Sequence, residues 1–115
     1  MYDYPDEVQL FKTLTHPVRL AILEIFRGGE HCVCHMEAVL GQRQAYISQQ
    51  LMVLRDSGIL EDRREGLNVY YHVVRPEIYT VLDATRQMVG SPIDKLELIP
   101  LSCKCPNCIK HKTQN

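Results

Sequence analysis

The 115 residues amount to one domain's worth of chain, enough to bury roughly two-thirds of the unfolded surface around a single core. With 45% hydrophobic and 23% charged residues the composition excludes wholesale disorder, and 13 basic against 14 acidic residues exclude a generally basic nucleic-acid binder, so any DNA contact must be a local patch. No apolar run approaches the ~20 residues of a membrane span, and the acidic start MYDYPDEVQLFK lacks the pattern of a secretory signal, so the expected compartment is the cytoplasm with no membrane partner.

The spacing of Val8, Leu10, Phe11 and Leu14 predicts a first helix over about 4–14, with Pro5 in its first turn. Pro17 then opens a second helix. Its Val18, Ala21, Ile22, Ile25 and Phe26 follow the i, i+3, i+4, i+7, i+8 pattern of a buried face, and Gly28-Gly29 ends it. A short third helix runs over about 33–40, with Met36, Val39 and Leu40 inward, and Gly41 stops it. After a tight turn, a fourth helix spans about Gln44 to Ser57. Ile47, Leu51 and Leu54 form its inner stripe, and Ala45, Ser48, Gln49 and Met52 its small, uncharged outer face.

Residues 59–64 and 68–74 change to strand character. Val69-Tyr70-Tyr71-His72-Val73-Val74 is β-branched and aromatic, and Glu65-Gly66-Leu67-Asn68 is a hairpin turn. Pro76 opens a fifth helix to about Val89, with Ile78, Leu82, Thr85 and Val89 on one face, and Gly90-Ser91-Pro92 breaks it. Two units follow: residues 1–90 as the folded domain, and 91–115 as a cysteine-containing tail.

Helices, a β-hairpin and a final helix in this order make a mainly α winged helix-turn-helix. A helix of this length enters the ~12 Å major groove, where Ser48 and Gln49 present hydrogen-bonding groups without bulk, and Gln bonds adenine bidentately. Arg43 at the helix start and Arg63 and Arg64 on the hairpin can neutralise phosphates. The bland alternative is a solvated helix with its polar residues outward.

The runs LFKTLTHPVRLAILEIF, CVC, QAYISQQLMVLRDSGIL and REGLNVYYHV, over about residues 8–88, resemble the ArsR/SmtB family of metal-responsive repressors. The resemblance implies a winged-helix homodimer, joined by its first and fifth helices, that binds a palindromic operator and releases it when an effector binds. It places the reading positions at Gln44, Ala45, Ser48 and Gln49 and the wing at Arg63–Asn68, including Arg64 and Asn68; it leaves the roles of Tyr46 and Gln50 open. The partners so implied are double-stranded operator DNA and a second copy of the chain. The apolar stripes at Val8/Phe11 and Ile78/Leu82/Val89 exceed what so small a chain buries alone, which also predicts a dimer.

Five cysteines, at 32, 34, 103, 105 and 108, cannot all pair within one chain. Close-spaced cysteines in a reducing compartment point to metal or thiol chemistry. Cys32 and Cys34 coincide with the metal box that the family carries at its third helix. At a helix's first turn the chain is still extended enough for both sulfurs to converge, and the helix dipole favours the thiolate. Two buried core cysteines are the structural alternative, and His31 or His35 could add a nitrogen ligand. The tail's Cys103, Cys105 and Cys108, followed by His111, either close a local site or complete one shared with Cys32 and Cys34. Residues 89–102 reach about 46–50 Å when extended, so either protomer's tail suffices.

Zinc sensors of the family place histidines on the last helix; here Glu77–Val89 holds Asp83 and no His. Sulfur-rich ligands select soft ions, so the expected effectors are As(III), Cd(II), Pb(II), Zn(II) or Cu(I), with no organic cofactor. The rival on the same frame is a thiol-redox-responsive repressor. A thiol oxidoreductase is disfavoured because no βαβ pattern surrounds Cys105 and Cys108, so no enzymatic activity is expected. A plain interaction module with a zinc-stabilised tail remains a further alternative.

Overall fold

The structure, a computed structural model, describes residues 3–90. Five helices and a three-stranded antiparallel sheet follow one another as α1 (Pro5–Leu14), α2 (Pro17–Ile25), β1 (His31–Cys32), α3 (Val33–Leu40), α4 (Gln44–Asp56), β2 (Leu60–Glu65), β3 (Asn68–Val73) and α5 (Glu77–Val89). The tail, with Cys103, Cys105, Cys108 and His111, lies outside the described residues.

Local chemistry accounts for the boundaries. Pro17 occupies the first position of α2, where its missing N–H costs nothing, and the preceding His16 is extended, as a residue before proline must be. Phe26–Gly28 tightens into a 3₁₀ turn, so α2 itself stops at Ile25, earlier than the Gly28-Gly29 signal suggests. Gly41 closes α3 at φ +65°, a left-handed conformation that glycine adopts without a Cβ penalty. That turn sets α3 and α4 three residues apart as a helix-turn-helix.

The core gathers one stripe from each of four helices: Ile22, Leu23, Ile25 and Phe26 of α2, Met36 of α3, Ile47, Leu51 and Leu54 of α4, and Ile78 and Leu82 of α5, closed below by Ile59 and Leu60. Each such aliphatic side chain contributes roughly 1.5–3 kcal/mol by leaving water. Ile78 and Leu82 therefore belong to the protomer's own core. Val8, Phe11, Met88 and Val89 stay exposed along α1 and the end of α5, beside an open apolar groove of about 250 Å³ that Phe11, Leu14, Leu20, Val81 and Leu82 help to line. Tyr79 ties α5 to α2 by donating a hydrogen bond to the Leu23 carbonyl at 2.7 Å, and burial pushes its phenol up to about 12.

The sheet order is β1-β3-β2. The β2–β3 hairpin pairs Leu60 with Val73 through to Glu65 with Asn68, around a Gly66-Leu67 turn. The two-residue strand β1 pairs His31 with Tyr71 and Cys32 with Tyr70. Nothing in the alternation of the chain announces β1; it exists because β3 offers a free edge to the segment entering α3.

Candidate nucleic-acid interface and cysteine pair

Helix α4 has one apolar side and one bare side. Ile47, Leu51 and Leu54 are fully buried, and Gln44, Ala45, Gln49 and Met52 are exposed, with Ser48 half-buried between them. Arg43 is the N-cap residue, exposed, in an extended conformation. The positions expected to read bases thus lie on one uncharged, unobstructed surface at the start of the helix, which is the end that meets base edges in helix-turn-helix docking.

Two contacts hold that helix from behind. Arg19 of α2 donates from Nε to Oε1 of Gln50 at 2.8 Å and from Nη1 to the Thr13 carbonyl at 3.2 Å, joining α1, α2 and α4. Tyr46 Oη and His16 Nε2 are 3.3 Å apart and hydrogen-bonded. Gln50 is therefore a buried anchor, although it neighbours Gln49 in the chain. Sequence reasoning left its role open; its register, three residues after Ile47 and four before Leu54, was the available signal.

The wing carries the other expected DNA contacts. Arg64 and Asn68 are exposed, and Arg64 makes no ion pair among the described residues. Arg63 is engaged. Its Nη2 and Nε meet Oε1 and Oε2 of Glu30 at 2.6 and 3.1 Å, its Nη1 meets Glu65 at 2.8 Å, and its guanidinium lies 4.9 Å from the Tyr70 ring centroid. Hydrogen bonding to Arg63 holds the Glu30 carboxyl below its ordinary pKa, and the same bonds raise that of Arg63.

Cys32 ends β1 as the N-cap residue of α3, and Cys34 lies in the first turn. Their sulfurs converge to 2.7 Å, longer than the ~2.05 Å of a disulfide bond. Cys32 is buried and Cys34 exposed, so the pair has one sheltered and one accessible sulfur. Convergence of residues two apart requires the extended-to-helical junction found here. His31 and His35, both buried, stack with ring centroids 4.1 Å apart and planes at 12°. Among the described residues no group of three or more His, Cys, Asp or Glu side chains gathers as a metal site.

Helix-turn-helix, hairpin wing and flanking helices together define a winged helix-turn-helix regulator. Residues 16–62 match the model of the bacterial regulatory protein, arsR family. A biofilm growth-associated repressor from Agrobacterium fabrum is 37% identical over 87 residues, covering 76% of this chain and 74% of the relative. The arsenical resistance operon repressor of Escherichia coli is 43% identical over 67 residues, 57% of each chain. The crystal structure of the repressor BigR from Xylella fastidiosa superposes with a TM-score of 0.67 at 35% identity, over 74% of this chain and 87% of that one. The chain belongs to the ArsR family of transcriptional repressors, with a DNA-binding helix-turn-helix. No described helix is long and apolar enough to cross a membrane.

Proposed function

We propose that this chain is an effector-released repressor: a homodimer that reads a palindromic operator with α4 and lets go when a thiophilic metal or metalloid binds Cys32 and Cys34. The observation that carries the effector reading is the 2.7 Å convergence of the two sulfurs at the head of α3, with only Gly41-Gln42-Arg43 between α3 and the reading helix. Paired thiolates are soft donors and favour As(III), Cd(II), Pb(II), Zn(II) or Cu(I). The similarity to an arsenical resistance operon repressor supports As(III) first. Cys103, Cys105 and Cys108 are the further donors proposed.

Dimerisation through α1 and α5 is supported by the exposed Val8, Phe11, Met88 and Val89 and by the apolar groove that Phe11 helps to line. Two copies of α4 about a two-fold axis then read half-sites spaced by about one helical turn of DNA, ~34 Å, or a multiple of it. Gln44, Ala45, Ser48 and Gln49 face the bases, and Arg43, Arg64 and Asn68 the backbone; Arg63, expected from the sequence among the phosphate contacts, is in this reading engaged with Glu30 and Glu65 instead. By linkage the effector binds the free dimer more tightly than the DNA-bound one, with a coupling of about 1–3 kcal/mol or more.

A second reading, release by thiol oxidation, is favoured by the same contact, because an exposed Cys34 lies against Cys32. One experiment separates the two. Operator is selected from a random duplex pool with reduced, metal-free protein, and its release is followed by fluorescence anisotropy under arsenite and, separately, peroxide. Release by arsenite supports the metalloid reading; release by peroxide alone supports oxidation. A chain lacking residues 103–115 that still responds to the same arsenite concentration removes the tail sulfurs from the proposed site.

A further inference from the structure

Cys32, Tyr70 and Arg63 form one row across the sheet. Tyr70 on the central strand pairs with Cys32 of β1 on one side and with Arg63 of β2 on the other, and the Arg63 guanidinium covers its ring. Glu30, two residues before Cys32, closes the row by gripping Arg63 through both carboxylate oxygens. The segment that carries the cysteines and the strand that carries the wing's charges are thus joined twice, by β3 between them and by an ion pair over the top. A planar guanidinium held at two oxygens fixes orientation as well as distance.

We propose that Glu30 and Arg63 are positioning residues that lock the wing to the Cys32/Cys34 segment, so that wing geometry on DNA and the state of the sulfurs form one coupled equilibrium. This inference rests on Cys32 and Cys34 being the sensing pair. Arg63 acts through Glu30 and Tyr70, and Arg64, on the opposite face of β2, meets the phosphates. Coupling is reciprocal: if the sulfurs' state alters DNA binding, then DNA binding alters the sulfurs' surroundings. That reciprocity gives a readout that needs no effector.

The test is the alkylation rate of Cys34 by iodoacetamide, read by peptide mass spectrometry on the reduced full-length chain, free and bound to the selected operator. In the wild type the two rates differ by at least about fivefold. In Glu30→Gln and in Arg63→Gln the ratio collapses toward one, and Arg63→Lys, which keeps the charge but loses the two-oxygen grip, falls between. Arg63→Gln leaves the salt dependence of operator binding unchanged, whereas Arg64→Gln lowers its slope by about one and keeps the alkylation ratio. Thermal melts matching the wild type show that the variants fold. Equal rates in the wild type, a ratio that persists in Glu30→Gln, or a salt slope lowered by about one in Arg63→Gln overturns the proposal. Failure of the sensing reading shows elsewhere, as an operator complex that survives both arsenite and peroxide.

Discussion

On α4, Gln44, Ala45 and Gln49 stand exposed and uncharged above a fully buried stripe of Ile47, Leu51 and Leu54. On the wing, every residue of β2 after Leu60 is exposed, Arg63 shares its charge with Glu30 and Glu65, and Arg55 of α4 reaches Asp62 at 3.9 Å. The helix is held by apolar burial and keeps its polar surface available; the wing is held by a backbone ladder and by ion pairs, one within β2 and others to Glu30 and to Arg55 of α4. Base reading needs a rigid platform with uncommitted donors and acceptors, and α4 has that construction. A wing fastened by exposed, solvent-screened ion pairs is the part that a small change nearby can move.

The widest gap between the two regions is in stability. Leu51→Ala removes a fully buried side chain and should lower unfolding stability by about 2–5 kcal/mol, while Leu67→Ala at the fully exposed wing tip should stay within about 0.5 kcal/mol. Urea midpoints measure both. Comparable losses would mean that the wing is packed like the helix.

Gln50 and Gln49 divide the helix itself. Gln50→Ala leaves the Arg19 Nε–H without its acceptor, and hydrogen bonds to charged groups contribute about 1.5–3 kcal/mol. It should lower the melting temperature and leave base preference intact. Gln49→Ala should do the reverse: a normal melt, about 1–3 kcal/mol lost on the operator, and a relaxed preference at one base pair per half-site in a mutated-operator series. If the two variants exchanged phenotypes, the reading face would have been placed on the wrong side of α4. The smallest effect is expected for Arg64→Ala on the wing, which should weaken binding to operator and to scrambled duplex alike, with a salt slope lower by about one.

Much of this was legible in the chain before folding. The 3.6-residue stripe of Ile47, Leu51 and Leu54 and the outer set Ala45, Ser48, Gln49 and Met52 place α4 and its bare face, because helical periodicity is a local property. The hairpin was equally local. What escaped was set by distance. Glu30 and Arg63 are 33 residues apart, and no pattern in either segment announces their pairing. Strand β1 is two residues long and is defined by its neighbour. Ile78 and Leu82 read as interface residues from their spacing, yet the protomer buries them, since periodicity marks an apolar face without saying what covers it. For Cys32 and Cys34, the prediction that an extended-to-helical junction brings the sulfurs together agrees with the 2.7 Å separation; their ligand is a matter of chemistry that folding alone does not display.

That two sulfurs at the head of α3 control DNA binding is tested most directly by Cys32→Ser/Cys34→Ser in an operator-release titration with arsenite, beside the wild type. The double variant should bind the selected operator with wild-type affinity and remain bound at arsenite concentrations that free the wild-type dimer. A variant that releases operator at the same arsenite concentration as the wild type would contradict the account and place the sensing site elsewhere in the chain.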